Sequence, residues 1–168
     1  GLARAIDQGV ATSTSVMMPC PWVPQFAAYV KEHPQIDAGI HLTLNAEWKN
    51  YRWGPVAGHS VVPGLVDEHG YLWNEVADVV SHATADELET EIRAQLDKAL
   101  AMGIRPTHLD SHMGTCFHPQ FVERYVKLGI EKGAPILMIG GHMQHVGGEV
   151  GAFKLLICAF AEKVWSEG

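Results

Sequence analysis

The sequence predicts an α/β fold on a parallel sheet, barrel-like or doubly wound, and three observations carry that expectation. Apolar periodicity switches between helical and strand spacing along the chain. The elements therefore run helix, strand, helix, strand, long loop, helix, strand, helix, strand, helix. Strict alternation implies βα units. Second, two polar stretches, GIHLTLN (39–45) and THLDSHMG (107–114), sit on otherwise apolar strands, and α/β folds bind ligands beyond the carboxyl ends of their strands. Third, 168 residues with 47% hydrophobic and 18% charged content suit one globular domain spanning 1–168.

Taken in order, residues 2–8 read as a helix closed by Gly9, and 10–18 (VATSTSVMM) as a strand bounded by Pro19 and Pro21. From 22 to 33, Val23, Phe26, Ala27 and Val30 recur at helical spacing until Pro34. The His41 strand follows. Residues 45–82 lack periodicity but hold Trp48, Trp53 and Trp73, which predicts an ordered, functional loop. Thr84 to Glu87 (TADE) matches a capping box, with Leu88, Ile92, Leu96 and Leu100 on one stripe and Gly103 as the stop. Residues 105–110 form the second site-bearing strand. Pro119 then opens a helix carrying Phe121, Val122, Tyr125, Val126 and Leu128 to Gly133. A short strand at 135–139 and a final helix at 152–165 complete the reading.

Composition excludes some partners. The formal charge is −7 and basic residues do not cluster, which argues against nucleic acid or an anionic membrane. The apolar segment 153–165 is too short and too charged to span a bilayer. Cys20, Cys116 and Cys158 lie far apart without a CxxC, as expected of small buried residues in a reducing, cytoplasmic setting.

The chemistry gathers at the two polar stretches. Period two places Ala38, Ile40, Leu42 and Leu44 on one face and Gly39, His41, Thr43 and Asn45 on the other. His108, Asp110 and His112 likewise share parity. Such groups cost several kcal/mol to bury unpaired, and a divalent metal is a common partner. Two neutral imidazoles and a carboxylate with open positions suit a catalytic metal, which acidifies water and polarises a carbonyl. His112 is the better ligand of its run. His108 reads as a supporting or satisfied core residue. Asp110 could orient a histidine, act as a base or cap the turn. His142 and His145, between glycines, read first as a loop. Residues 47–55 (EWKNYRWGP) should overhang the site, where Trp48, Tyr51, Arg52 and Trp53 could contact a sugar or simply anchor the loop.

These residues resemble the YdjC-like (ChbG/HpnK) carbohydrate deacetylase family. The pattern G-[ILMV]-H-[LF] followed by T-H-[LIV]-D-S-H is present as GIHLTL and THLDSHMG, and TSTSVMM matches the family's second strand. The resemblance covers most of residues 1–133. It implies a (β/α) barrel related to polysaccharide deacetylases, one divalent metal near the strand ends, and removal of acetyl groups from N-acetylated sugars. By position the metal-binding histidines fall on His41 and His112, with Asp110 and His108 in supporting catalytic places. The family's first strand, ending A-D-D and supplying a third ligand and a base, would lie upstream of Gly1. A late H-P-[GA] segment is also missing, so 1–168 is expected to be a partial catalytic domain. Met113-Gly114-Thr115-Cys116 replaces a histidine-rich run, so substrate range could differ.

The expected cofactor is therefore one divalent ion, magnesium or zinc before manganese or cobalt. The expected partner is an N-acetylated carbohydrate, and a homo-oligomer is compatible with the sequence. Two rivals stay open: a non-catalytic carbohydrate-binding module, and another barrel metalloenzyme such as an amidohydrolase or sugar isomerase.

Overall fold

Three short parallel strands, β1 (Ser13–Val16), β2 (Asp37–Leu42) and β3 (Leu109–Ser111), lie side by side in that order. The structure is a computed structural model and describes residues 2–138. Helices α1 (Leu2–Asp7) and α2 (Val23–Glu32) flank the first two strands. After the long loop come α3 (Val76–His82), α4 (Ala85–Ala101) and, beyond β3, α5 (Val122–Lys132). A single parallel bridge joins Leu109 to Ile136, where the fourth strand was expected. The expected helix at 152–165, residue 139 of that strand, and His142 and His145 lie outside the described residues.

Register explains the site. Ser15 pairs with Gly39, and His41 pairs with Asp110, so two rows of side chains run across the sheet on one face. The apolar face buries Ile40 and Leu42 of β2, Leu44 beyond it and Leu109. Leu88, Ile92, Leu96 and Ala99 of α4 and Val122, Tyr125 and Val126 of α5 are buried in the same core. Each large aliphatic side chain so buried contributes roughly 1.5–3 kcal/mol.

Several boundaries differ from expectation. Strand β1 is shorter than 10–18 because the chain turns at Met17, whose carbonyl accepts from the Cys20 amide at 3.1 Å. Regular β3 begins only at Leu109, since Pro106 has no N–H to give to a ladder; Thr107 nonetheless donates to the Ala38 carbonyl at 2.9 Å. The loop contains a helix, α3, that its valines concealed. Burial of Val79 and a 4.4 Å stack of Trp73 on His82 hold it.

Helix α4 has the capping box at Thr84 and Glu87, but Leu100 is exposed. Steps of four overshoot a 3.6-residue turn, so the fourth residue of the stripe drifts off it and Ala99 takes its place. Helix α5 starts at Val122, not at Pro119. The residues between form a turn in which the His118 carbonyl accepts from the Phe121 and Val122 amides.

Candidate metal centre

The site is a chain of hydrogen-bonded side chains crossing the carboxyl ends of β1, β2 and β3. Gly39 makes it possible. A Cβ there would stand 2.3 Å from His108 Nε2, so only glycine lets that imidazole lie across β2 and reach Ser15 on the far strand. Ser15 Oγ is 3.0 Å from His108 Nε2 and donates to Asp110 Oδ2 at 3.0 Å. The other ring nitrogen of His108 is 2.9 Å from Thr107 Oγ1, and Thr107 in turn donates to Asp37.

In the next row, Asp110 Oδ1 is 2.8 Å from His41 Nδ1. Burial would raise the Asp110 carboxyl. Hydrogen bonds from His41 and Ser15, with the nearby imidazoles, outweigh it and hold the carboxyl below the usual range.

His112 comes from outside the ladder. The backbone leaves β3 after Ser111 and turns through left-handed Met113 (φ 52°) and Gly114 (φ 71°), which places His112 at the strand tip. Its Nδ1 faces His41 Nε2 at 3.2 Å, although the two residues are 71 positions apart. Its Nε2 is 2.8 Å from Glu47 Oε2. Burial pushes the Glu47 carboxyl up, but bonds from His112, its own amide and Trp48 prevail and lower it.

The fold brings His41, His108, Asp110 and His112, all expected from the sequence, into one network. Ser15, Glu47, Asp37 and Thr107 join them without being expected as site residues. Glu47 carried a readable signal, an acid just past the histidine strand; Ser15 carried none, because its value depends on register across Gly39.

A shared cation suits this arrangement chemically. Two nitrogens bound to one tetrahedral zinc at about 2.0–2.1 Å stand roughly 3.3 Å apart, close to the 3.2 Å found. Each imidazole also has a carboxylate on its other nitrogen, which is how histidine ligands are usually oriented. Among the described residues no group of three or more His, Cys, Asp or Glu side chains surrounds one point, and His41 and His112 are the facing pair here.

The overhanging loop divides its expected contacts. Trp48 and Tyr51 are 61% and 45% exposed, whereas Trp53 is buried beneath, 6.3 Å from the His112 ring centre, with its N–H donated to the Asn45 carbonyl. Arg52 is spent on the loop itself, bonding Asp67 at 3.0 Å and the Leu72 carbonyl at 2.6 Å. A cavity of about 820 Å³ lies elsewhere, between α1, β1 and α2, and meets this network only at Ser15. Cys20 and Cys116 are free thiols, and burial pushes that of Cys116 up to about 12, as befits an inert core residue.

Residues 1–161 match the model of the YdjC-like protein family. The chain belongs to that family. A carbohydrate deacetylase of Brevibacillus brevis is 33% identical over 136 residues, covering 81% of this chain and 51% of its own. One of Thermus thermophilus is 37% identical over 115 residues, covering 68% and 39%. A chitooligosaccharide deacetylase of Yersinia enterocolitica is 28% identical over 137 residues, covering 81% and 51%. Among solved structures, an Enterococcus faecalis protein named for cellobiose-phosphate cleavage superposes with a TM-score of 0.75 at 25% identity, covering 86% of this chain and 56% of that one. The YdjC-like chain thus spans about half the length of the curated relatives it matches. No helix among its described residues is long and apolar enough to cross a membrane.

Proposed function

We propose that this chain carries the histidine pair of a metal-dependent carbohydrate N-deacetylase site, on a (β/α) barrel-like scaffold, and removes acetyl groups from N-acetylated sugars or oligosaccharides. The observation that carries the reading is the pair of inward nitrogens, His41 Nε2 and His112 Nδ1, facing each other at the strand ends of a YdjC-like chain. A divalent ion held there, magnesium or zinc, would supply Lewis acidity to an acetamide carbonyl and acidify a water.

The chain's own residues set the stage for that ion. Asp110 accepts the Nδ1 proton of His41, which leaves Nε2 free to bind. Ser15, itself held by His108, donates to the second oxygen of Asp110 and keeps its carboxylate from rotating. Trp48 and Tyr51 offer exposed ring faces on which the C–H patches of a sugar can lie, while Trp53 and Arg52 support the loop from below. The free thiols accord with a cytoplasmic enzyme.

Acetate release from acetylated chito-oligosaccharides by the full chain, with and without chelator, tests the reading. Release abolished by chelator and restored by added zinc or magnesium is expected. Chelator-insensitive release rejects the metal. Sugar binding that survives His41→Ala and His112→Ala, without turnover, favours a carbohydrate-binding module presenting Trp48.

A further inference from the structure

We propose that Glu47 is a positioning residue that fixes His112, and that Trp48 fixes Glu47 in turn, so that the exposed indole and the cation-facing imidazole are oriented as one unit. The inference rests on the reading that His41 and His112 share a divalent ion, and it adds a residue that neither the sequence motifs nor the relatives' names assign.

Both Glu47 oxygens are committed. Oε2 is 2.8 Å from His112 Nε2, and Oε1 accepts the Trp48 indole N–H at 2.6 Å. The backbone beneath them is held firmly. Asn45 and Ala46 are fully buried; Asn45 accepts from Thr115 at 2.5 Å and from the Trp53 indole at 2.9 Å, and the Ala46 amide donates to the Trp73 carbonyl at 2.9 Å. Glu47 is therefore delivered to His112 from a fixed point.

The arrangement mirrors Asp110 on His41. One carboxylate takes the outer N–H of each imidazole, leaving the inner lone pairs, His41 Nε2 and His112 Nδ1, aimed at one another. Two lone pairs at that distance repel unless a proton shared as an N–H···N bond or a metal cation lies between them, so the two carboxylates together set a site that a divalent ion can fill in place of that proton. The Glu47 side chain is 30% exposed and that of His112 13%, so solvent screens the carboxylate side of the pair, and orientation of the imidazole is what it provides. Chemistry explains the residue type. Glutamine has one acceptor oxygen and can serve His112 or Trp48 but not both.

Two measurements on the full chain test the role. In ¹⁵N-histidine NMR, the His112 Nε2 proton is expected downfield and slow to exchange, and lost in Glu47→Ala. In cobalt titrations, Glu47→Ala should weaken binding roughly 10–100-fold, Glu47→Gln less, and Trp48→Phe by a few-fold, with thermal midpoints unchanged. A wild-type chain without a protected Nε2 proton, or a Glu47→Ala chain that binds cobalt as tightly as wild type, overturns the proposal. Should the wild type take up no cobalt while the protected proton still depends on Glu47, the shared-ion reading fails and the positioning role stands.

Discussion

Glu91 and Asp110 are both carboxylates set into the fold, and their surroundings differ in kind. Glu91, on α4, is fully buried and accepts backbone amides from Val56 at 2.9 Å and Ala57 at 2.8 Å, plus the Gln95 side chain at 2.7 Å. Gln95 continues the pattern by pairing with both the amide and the carbonyl of Thr43. Asp110 binds only side chains, His41 and Ser15, and its row opens toward solvent. Their ionisation diverges accordingly. Burial dominates at Glu91 and raises its carboxyl, while the imidazole and hydroxyl bonds dominate at Asp110 and lower it. A polar group answered by backbone amides ties the long loop to the helix. One answered by titratable side chains at a strand end is arranged for chemistry.

Breaking each region should give different losses. The double variant His41→Ala/His112→Ala should lower divalent-metal affinity by more than roughly 100-fold, the upper range for losing even an outer partner of a ligand. Its urea-unfolding free energy should stay within about 1 kcal/mol of wild type; a larger loss would make the histidines structural. Glu91→Ala should do the reverse. It leaves the Val56 and Ala57 amides unanswered and should cost about 3 kcal/mol in the same unfolding experiment, with residual folded chain still binding metal.

Between these lies Gly39→Ala. The new methyl would occupy the place of His108 Nε2, pushing the ring away from Ser15 at a cost of about 1–3 kcal/mol. Chemical-shift changes should appear first at His108 and Ser15, and silence there would mean that the row across β2 is not formed.

The smallest effects are in pH dependence, and their signs oppose. The raised value of Glu91 means its contribution to stability is complete below its unfolded value of about 4.3 and is lost as pH climbs through the folded value. For Asp110 the lowered value reverses this. Its contribution is present above an unfolded value of about 3.9 and is lost as pH falls through the folded one. Urea midpoints against pH should therefore lose the alkaline-side decline in Glu91→Gln and the acid-side decline in Asp110→Asn. Parallel profiles for both variants would erase the distinction.

Legibility follows the same division. Local signals were readable: the capping box at Thr84, the stop at Gly9, and the parity that sets His41 opposite an apolar face. The pairing of His41 with His112 was readable because both mark strand ends. What escaped depended on tertiary register. Ser15 matters only because Gly39 opens a path to His108, and α3 exists only because Val79 and Trp73 have somewhere to pack. Glu91 read as one more charged residue on an amphipathic helix, yet it anchors the loop, because a single sequence does not reveal which amides lie opposite.

The claim beneath all of this is that two imidazoles from separate strand ends grip one ion. X-ray absorption of the zinc-loaded chain measures it directly. The account predicts two imidazole nitrogens at about 2.0–2.1 Å, falling to one in either single variant, His41→Ala or His112→Ala. A spectrum with no imidazole scattering, or one left unchanged by either substitution, would contradict it.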